Sequence, residues 1–232
     1  MSRNSRNLII AIDGPAASGK STTARLVAEK LGYLHIDTGA MYRAITLRVL
    51  EEGVSPGDAS AVRTIAEKTS IRLERSDGTN RVLVDGRDVS EKIRTPEVTA
   101  LVSKVSAHQA VRDVLVREQR KMAAQGGVVL EGRDIGTVVL PDADLKIFMV
   151  ADVRERARRR KKELSTSGVH VDLRQLEVEI EERDRLDSTR EVSPLKKADD
   201  AIVLDTSNLS IEQQVEFIVG KAKKELERRK VT

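Results

Sequence analysis

The chain contains 232 residues, of which 39% are hydrophobic and 34% are charged, and its formal net charge is +4. This composition argues against general disorder, and the length allows one hydrophobic core with an inserted subdomain. The absence of cysteine excludes disulfides and thiolate metal sites, and we expect a cytoplasmic location. The apolar run at residues 8–12 is too short for a signal sequence or a membrane span, so we expect no membrane partner.

The positive net charge does not by itself indicate a nucleic-acid-binding protein. Aromatic residues make up only 2% of the chain, which leaves few platforms on which bases could stack. The sequence also lacks the spacing of a helix-turn-helix or a zinc finger. We therefore expect small phosphorylated ligands rather than a nucleic-acid polymer, and we expect the chain to act as a monomer.

Apolar runs rich in β-branched residues are separated along the chain by helical patterns. The runs lie at 8–12, 128–130, 145–150 and 201–204, with a weaker one at 34–36. Short apolar strands that alternate with helices predict a parallel sheet covered by helices on both faces. The predicted fold class is therefore α/β, a three-layer fold around a parallel core sheet.

Two segments depart from this alternation. Residues 71–89 alternate in polarity between turn-forming residues, which predicts a small antiparallel insert. Seven of the nine residues at 154–162 are basic, and a Ser/Gly break at 165–168 precedes a charged helical pattern from about 173 to 186. This second segment predicts a mobile helical hairpin. The pattern at 211–230 predicts a final helix that packs on the core.

The strongest motif lies between the first apolar run and the first helical pattern. Residues 14–21 read Gly-Pro-Ala-Ala-Ser-Gly-Lys-Ser and match the phosphate-binding pattern G-x-x-x-x-G-K-[ST]. In such a P-loop, backbone N–H groups and the helix N-terminus face phosphate oxygens, Lys20 reaches the β- and γ-phosphates, and Ser21 ligates Mg²⁺. We expect a nucleoside triphosphate to be bound by Gly14, Pro15, Ala16, Ala17, Ser18, Gly19, Lys20, Ser21 and Thr22.

The loop alone does not name the reaction, because GTPases, ATPases and kinases share it. The sequence contains no Asn-Lys-x-Asp or Thr-Lys-x-Asp element, with which a GTPase would read guanine. The chain is also too short for the additional domains of a motor protein. A small-molecule kinase is the interpretation that remains.

A kinase whose acceptor is itself a phosphate needs guanidinium groups, which bind phosphate oxygens in pairs. The candidates near predicted turns and strand ends are Arg43, Arg133, Arg183 and Arg190. On a helix, Arg183, Asp187 and Arg190 would project from one face, since they are spaced by four and then three residues. Such a triple is more often a surface ion-pair ladder, so the spacing leaves both interpretations open.

Six segments, taken in order, resemble the bacterial cytidylate kinase family over nearly the whole chain. They are Ile12-Asp-Gly-Pro, Gly19-Lys-Ser, Asp37-Thr-Gly-Ala-Met-Tyr-Arg, Ile93-Arg-Thr-Pro-Glu-Val, Gly132-Arg-Asp-Ile-Gly-Thr-Val-Val and Glu182-Arg-Asp-x-x-Asp-x-x-Arg. The resemblance implies transfer of the γ-phosphoryl group of ATP to CMP or dCMP, with Mg²⁺ as cofactor. It also implies a core at 7–60, 127–153 and 186–232, a monophosphate-binding region with the insert at 61–126, and a helical lid at 154–185.

The resemblance further implies roles for individual residues. The catalytic residues would be Lys20, Arg133, Arg183 and Arg190. CMP would be bound at its phosphate by Arg43, Arg133 and Arg190, near its ribose and the transferred group by Arg183 and Asp187, and around its base by Thr38, Ser103, Arg112 and Asp134. Lids of this fold class carry arginines that close over the triphosphate, and Arg158 and Arg154 are the candidates. Position 38 is Thr where some members of the family have Ser, and threonine also carries the hydroxyl group.

The tripeptide Gly-Arg-Asp occurs twice, so its context decides which copy is functional. Gly132 follows the apolar run at 128–130, and ligands of α/β folds bind at the carboxyl ends of such strands. Gly86 instead lies in a predicted hairpin turn. We therefore assign a function to Arg133 and none to Arg87. The three histidines have no metal-ligand spacing and are expected to be ordinary core or surface residues: His35, His108 and His170.

Two other interpretations remain open from the sequence. The chain could be another P-loop kinase, acting on a different nucleotide or on a shikimate-like acid. It could also be a non-enzymatic nucleic-acid-binding or structural protein that carries a nucleotide site. The order of the six segments favours a cytidylate kinase over both.

Overall fold

The computed structural model describes residues 7–76, 79–166 and 168–231. The chain divides into two compact units, which we call the first unit (Met1–His35 with Ala123–Thr232) and the second unit (Ile36–Met122). Within the described ranges, no helix is both long enough and apolar enough to cross a membrane.

Strands and helices alternate along most of the chain. In chain order they are β1 (Ile9–Asp13), α1 (Lys20–Leu31), β2 (Leu34–Asp37), α2 (Thr38–Glu51), α3 (Ala59–Lys68), β3 (Ile71–Ser76), β4 (Thr79–Val84), β5 (Arg87–Asp88), a 3₁₀ turn (Lys92–Arg94), α4 (Pro96–Ser106), α5 (Gln109–Ala123), β6 (Val128–Gly132), a π-helical turn (Ile135–Val139), β7 (Leu145–Val150), α6 (Val153–Thr166), α7 (Leu173–Thr189), β8 (Ile202–Asp205) and α8 (Ile211–Val231).

The core sheet has five strands in the order β2-β6-β1-β7-β8. β1 pairs in parallel with β6 and with β7, and β7 pairs in parallel with β8. All five residues of β1 are buried, as expected for a central strand of a parallel sheet that is covered on both faces. Each of the five strands overlaps a predicted apolar run, so the predicted α/β fold with a parallel core sheet is confirmed.

One hydrophobic cluster packs α1 and α8 onto the core sheet. It includes side chains that are at most 1% exposed from β1, α1, β7 and α8: Ile10, Ile12, Val27, Ile147, Ile218 and Ala222. Burying a large aliphatic side chain of this kind contributes about 1.5–3 kcal/mol. The predicted packing of the final helix on the core is confirmed.

The second unit contains a three-stranded antiparallel sheet in the order β3-β4-β5. Asp85 and Gly86 connect β4 to β5 with positive φ values of 50° and 80°, the backbone that a two-residue hairpin turn requires. The predicted small antiparallel insert is therefore confirmed. Part of the turn predicted between β3 and β4, at residues 77 and 78, lies outside the described residues.

The basic segment and the charged pattern that follows it form a pair of packed helices, α6 and α7, which we call the hairpin. The helices share a small apolar cluster formed by Ala157, Leu176 and Ile180. Asp172 caps α7, because its side chain accepts hydrogen bonds from the N–H groups of Arg174 and Gln175 at 2.9 and 3.1 Å.

Helix α7 ends one residue before Arg190, which corrects the expectation that Arg183, Asp187 and Arg190 share one helical face. Arg190 has an extended backbone, with φ −62° and ψ 141°. The carbonyl oxygen of Asp187, which would accept an N–H four residues on in a continuing helix, instead accepts the N–H of Leu195 at 2.8 Å. The chain therefore leaves the helix at Arg190, and only the first two side chains project from α7.

The start of the phosphate-binding loop requires glycine. Gly14 has φ 153°, and a Cβ atom at this position would collide with the carbonyl oxygen of Met149 on β7. Because that oxygen belongs to the backbone of the core sheet, it cannot move aside as a flexible side chain could. The close approach of the loop to β7 thus depends on the missing side chain.

We predict that Gly14→Ala lowers the free energy of unfolding by at least about 2 kcal/mol, because it adds a backbone collision to an unfavourable φ. Gly32→Ala is the matched control, since Gly32 also has a positive φ (68°) but no atom within 4 Å of the added Cβ. That control should cost only about 1 kcal/mol, the strain of a left-handed alanine. Urea unfolding of both variants measures the difference, and equal losses would contradict the collision.

Candidate active site

β1 leads into the phosphate-binding loop, and α1 begins where the loop ends, at Lys20. Gly19 precedes the helix in the left-handed conformation and has no side chain that could cap it. The first turn of α1 contains no acidic residue. The N–H groups of this turn and the positive end of the helix dipole can therefore act on an anion, as a phosphate site requires.

Lys20 lies inside the loop. Its Nζ donates to the carbonyl oxygen of Pro15 at 2.6 Å and to Ser18 Oγ at 3.3 Å. Burial first, and then the charges of Arg133 and Arg183, lower the pKa of Lys20 to about 7 against the opposing effect of nearby carboxylates. The loop lysine and two guanidinium groups therefore share one electrostatic environment, in which a bound anion would relieve their mutual repulsion.

A buried carboxylate, Glu131 on β6, connects the loop to a histidine. Ser21 Oγ donates to Glu131 Oε2 at 2.7 Å, and His35 Nε2 donates to Glu131 Oε1 at 3.0 Å. Burial alone would raise the pKa of Glu131, but the hydrogen bond from His35 and the charge of Lys20 hold it below its usual value. Neither Glu131 nor His35 was among the predicted site residues. The available signal was the position of Glu131 near the carboxyl end of a buried strand.

Ser21 and Glu131 place oxygen atoms beside the loop, and oxygen is the ligand type that Mg²⁺ prefers. Among residues 7–76, 79–166 and 168–231, no group of three or more metal-ligating side chains could hold a metal ion by itself. These oxygen atoms fit a divalent cation that takes one or two protein ligands and completes its coordination with oxygen atoms of a bound ligand and water.

The turn after β6 carries two of the predicted residues, Arg133 and Asp134. Arg133 Nε donates to Asp187 Oδ2 at 2.9 Å, and Arg190 Nη2 lies 3.8 Å from Asp134 Oδ1. Burial would raise the pKa of Asp187, but the charges of Arg133 and Arg183 lower it. The first unit therefore brings together the predicted residues Lys20, Arg133, Asp134, Arg183, Asp187 and Arg190.

Asp13, the last residue of β1, fixes this turn in place. Its two carboxylate oxygens accept the N–H groups of Ile135 and Gly136, each at 2.8 Å. Burial raises the pKa of Asp13 to about 6, although the two backbone hydrogen bonds act in the opposite direction. The carboxylate thus links the strand that precedes the phosphate-binding loop to the turn that carries Arg133.

Arg43 and Thr38 lie on α2 in the second unit. Thr38 is the first residue of the helix and is 3% exposed. Arg43 Nη1 donates to the carbonyl oxygen of Ile93 at 3.2 Å and to Thr99 Oγ1 at 2.8 Å. These two acceptors on neighbouring segments hold the guanidinium in one orientation.

Arg112 and Ser103, the other predicted residues of the second unit, lie on α5 and α4. The Arg112 guanidinium lies 5.3 Å from the centroid of the Tyr42 ring, within the range of a cation–π interaction. Its Nη1 donates to the carbonyl oxygen of Ser106 at 3.4 Å, and Ser106 Oγ donates to the carbonyl oxygen of Ser103 at 3.1 Å. Because Arg112 is only 2% exposed, its charge needs such partners.

The second copy of Gly-Arg-Asp lies in the β4–β5 hairpin. The side chain of Arg87 is 55% exposed, and its Nη2 donates to Glu51 Oε2 at 3.2 Å. This is the environment of a surface ion pair, and the absence of a function for Arg87 stays a prediction.

The arginines of α6 differ in what they contact. The two predicted lid arginines, Arg154 and Arg158, have exposed side chains that face glutamates at 4.0 and 3.7 Å. Two others, Arg156 and Arg159, donate to carbonyl oxygens of the phosphate-binding loop. The sequence did not reveal these two contacts, because a run of seven basic residues does not show which of them faces the loop.

Comparison with known proteins supplies the family. The family model described as cytidylate kinase matches residues 10–224. The chain belongs to the cytidylate kinase family. Proteins named cytidylate kinase from Bacillus thuringiensis (strain Al Hakam) and Bacillus cereus (strain AH187) are each 54% identical to it over 215 residues, which cover 93% of this chain and 96% of theirs.

A solved structure shares the fold of this cytidylate kinase family member. It is an uncharacterized protein from Eubacterium ventriosum, with a TM-score of 0.52 and 13% identity over 93% of this chain and 98% of that one. At this low identity the likeness concerns the fold alone.

We predict a pH-dependent difference in stability between the natural chain and Asp13→Asn. In the folded protein Asp13 takes up a proton near pH 6, whereas in the unfolded chain it does so near its ordinary value of 3.8. Between these values the folded state binds more protons, so the contribution of Asp13 to stability rises as the pH falls. From pH 7.5 to pH 5 the natural chain should gain about 1–1.5 kcal/mol relative to the variant.

Urea unfolding of both proteins at the two pH values measures this gain. The asparagine cannot ionise, so titrating groups that do not interact with Asp13 cancel in the difference. A constant difference, or a gain for the variant on acidification, would show that Asp13 is not a buried carboxyl group of raised pKa.

Proposed function

We propose that the chain is a nucleoside monophosphate kinase that transfers the γ-phosphoryl group of ATP to CMP or dCMP, which gives CDP or dCDP and ADP. The observation that carries the proposal is the grouping of Lys20 with Arg133 and Arg183. The phosphate-binding loop and Lys20 are sufficient to bind a triphosphate when it is the only anionic ligand. The additional guanidinium groups suit a second anionic substrate. Membership of the cytidylate kinase family identifies that substrate as CMP.

In this proposal the residues position two anions and neutralise charge during the transfer. The phosphate of CMP is already ionised near neutral pH, since its second pKa is about 6, so no general base is needed. Its oxygen attacks the γ-phosphorus in line with the leaving ADP. Lys20, Arg133, Arg183 and Arg190 lie around the transferring group and stabilise its negative charge.

Ser21 would be the protein ligand of a Mg²⁺ ion bound with ATP, and Glu131 would lie beside that ion. When bound, the ion withdraws charge from the phosphate oxygens and fixes their geometry. Glu131 holds the Ser21 hydroxyl through the 2.7 Å hydrogen bond, so the carboxylate sets where the serine oxygen points. His35 in turn holds the carboxylate.

The residues proposed to bind CMP are assigned by the part of the nucleotide that each would contact. Arg43 is assigned to the acceptor phosphate, and Thr38, Ser103, Arg112 and Asp134 are assigned to the base. Arg183 and Asp187 are assigned to the ribose and the transferred group. These assignments are supported by the matching segments of the family, and the ordered side chains of Arg43 and Arg112 are compatible with them.

The hairpin is proposed to be the lid of this kinase, with Arg158 as a ligand of ATP. Closure of a lid would exclude water, which could otherwise accept the phosphoryl group. The corresponding division into a core, a monophosphate-binding region at 61–126 and a lid at 154–185 is part of the proposal.

A coupled assay of ADP release tests the function directly. The purified chain is supplied with ATP and Mg²⁺ and, one at a time, with CMP, dCMP, UMP, AMP, GMP and shikimate. We expect turnover to be highest with CMP or dCMP. Preference for another acceptor would support a different small-molecule kinase, and the absence of turnover with all six would support a non-enzymatic nucleotide-binding protein.

We predict that Arg133→Ala and Arg190→Ala lower kcat and raise the KM for CMP, because charge on the transferring group grows in the transition state. Each loss in kcat/KM should be at least about a hundredfold, or roughly 3 kcal/mol. Arg87→Ala is the matched control, since it removes the arginine of the same tripeptide from an exposed hairpin. Steady-state kinetics separates the two copies, and a comparable loss for Arg87 would mean that function was assigned to the wrong one.

We also predict that Asp134→Asn weakens discrimination between CMP and UMP. The carboxylate can accept the N4 amino group of cytosine but would repel O4 of uracil, whereas an asparagine amide can rotate and donate to O4. The CMP-over-UMP ratio of kcat/KM should fall at least about tenfold, or roughly 1.4 kcal/mol. An unchanged ratio with both substrates slowed equally would assign Asp134 to the support of its neighbours instead of to base recognition.

A further inference from the structure

Both polar groups of one residue in the phosphate-binding loop are held by the hairpin. The N–H of Ala16 donates to Asp184 Oδ1 on α7 at 3.3 Å, and its carbonyl oxygen accepts from Arg156 Nη1 on α6 at 3.2 Å. Arg156 and Asp184 also form an ion pair with each other. The pair therefore clamps the peptide groups on either side of Ala16, with one partner from each helix.

The pair is buried and well fixed. The side chain of Arg156 is 5% exposed and that of Asp184 is 20% exposed. Arg156 Nε donates in addition to the carbonyl oxygen of Ala151 at 3.0 Å, so the guanidinium is oriented from two sides. A buried ion pair is costly to form, and it contributes little to stability compared with apolar residues of the same size. Its location against the loop suggests a positioning role.

The next two residues of the loop are held by the hairpin as well. Ala17 has a left-handed backbone (φ 55°), which costs a non-glycine residue about 1 kcal/mol, and it packs against the apolar cluster of the hairpin. The carbonyl oxygen of Ser18 accepts from Arg159 Nη1 at 3.3 Å, while Nη2 of the same arginine donates to the carbonyl oxygen of Thr206 at 2.6 Å. The hairpin thus contacts three successive residues that precede Gly19 and Lys20, and the Ser18 carbonyl oxygen also accepts from Thr206 Oγ1 at 3.0 Å.

The same helix also orients an arginine of the reaction. Asp184 and Asp187 are three residues apart on α7, so they project from one face. Asp184 accepts from the loop at Ala16, and Asp187 accepts from Arg133 at 2.9 Å. One face of α7 therefore positions the donor loop and the guanidinium assigned to the transferring group.

We propose that Arg156 and Asp184 are positioning residues that hold residues 16–18 of the loop in the conformation that binds ATP. The inference rests on the proposed function, because it assigns ATP to this loop. Without the pair, the loop N–H groups would sample other orientations, and binding would have to order them. The loss should therefore fall on ATP and leave the affinity for CMP alone unchanged.

Four variants and one control test this proposal. Asp184→Ala removes the acceptor, whereas Asp184→Asn keeps an acceptor oxygen without the charge. Arg156→Lys keeps the positive charge. The double variant Arg156→Gln/Asp184→Ala removes both charges, so that no buried charge is left without a partner. Arg185→Gln is the control, because it removes an arginine–carboxylate pair (with Glu182) from the exposed face of the same helix. Thermal unfolding of each variant establishes that it is folded.

Isothermal titration measures the Kd of ATP and of CMP separately for each protein. For Asp184→Ala we expect a Kd for ATP at least about tenfold higher, a Kd for CMP within about twofold of the natural value, and partial recovery in Asp184→Asn. The double variant should match Asp184→Ala within about threefold, since both changes act on the same peptide groups. A Kd for ATP within twofold of the natural value, or equal losses for ATP and CMP, would overturn the proposal.

Hydrogen exchange of the loop amides keeps this test separate from that of the proposed function. Without any nucleotide, the Ala16 amide should exchange at least about tenfold faster in Asp184→Ala than in the natural chain, and Arg185→Gln should leave it unchanged. If the natural chain binds ATP and phosphorylates CMP but Asp184→Ala does so with unchanged affinity, the positioning role alone fails. If the natural chain neither binds ATP nor phosphorylates CMP, the proposed function fails. In that case the exchange rate of the Ala16 amide still tests the positioning role, and equal rates in Asp184→Ala and the natural chain would overturn it.

Discussion

The carboxylate of Asp13 is the interaction on which the arrangement of the site depends. β1 and β6 are adjacent parallel strands, and their last residues, Asp13 and Gly132, lie side by side. Two loops therefore leave the same edge of the sheet, and nothing in strand pairing alone fixes how they lie relative to each other. Asp13 does so by accepting two N–H groups of the turn after β6. This contact and the Ser21–Glu131 hydrogen bond link the strand and loop that carry Lys20 to the strand and turn that carry Arg133.

Near Asp13, the positive charges of Lys20, Arg133 and Arg183 lie close enough to repel one another, and a bound anion would reduce that repulsion. Lys20 has a lowered pKa because it is buried near Arg133 and Arg183. Burial would raise the pKa values of Glu131 and Asp187, but the hydrogen bond from His35 lowers the first and the charges of Arg133 and Arg183 lower the second. Glu131 thus orients the hydroxyl of Ser21, and Asp187 orients the guanidinium of Arg133. Lys20 is repelled by the neighbouring guanidinium groups, and a bound phosphate would offset this repulsion. Such preorganised cations suit phosphoryl transfer, in which positioning and charge neutralisation provide most of the catalysis.

The sequence predicted the parts of the molecule that short-range patterns determine. The apolar runs form strands in the structure. The phosphate-binding loop lies between a strand and a helix, as its eight-residue motif predicts, because this motif determines the local backbone conformation. Contacts between distant residues were not predictable in this way. Asp13 meets Ile135 and Gly136 across 122 and 123 positions, and Arg156 meets Ala16 across 140. The placement of Arg190 on one helical face with Arg183 and Asp187 was wrong, since a spacing of four and three fits a helix but does not show that the helix continues as far as Arg190.

Transfer of a phosphoryl group between two bound nucleotides can be followed through all the products of one reaction. Phosphorus-31 NMR of the purified chain with ATP, Mg²⁺ and CMP distinguishes CDP, ADP and inorganic phosphate in the same sample. We expect CDP and ADP to appear in equal amounts, with inorganic phosphate below about a tenth of either, because an ordered site directs the γ-phosphoryl group to the acceptor instead of water. ADP accompanied by an equal amount of inorganic phosphate, with no CDP, would contradict this expectation.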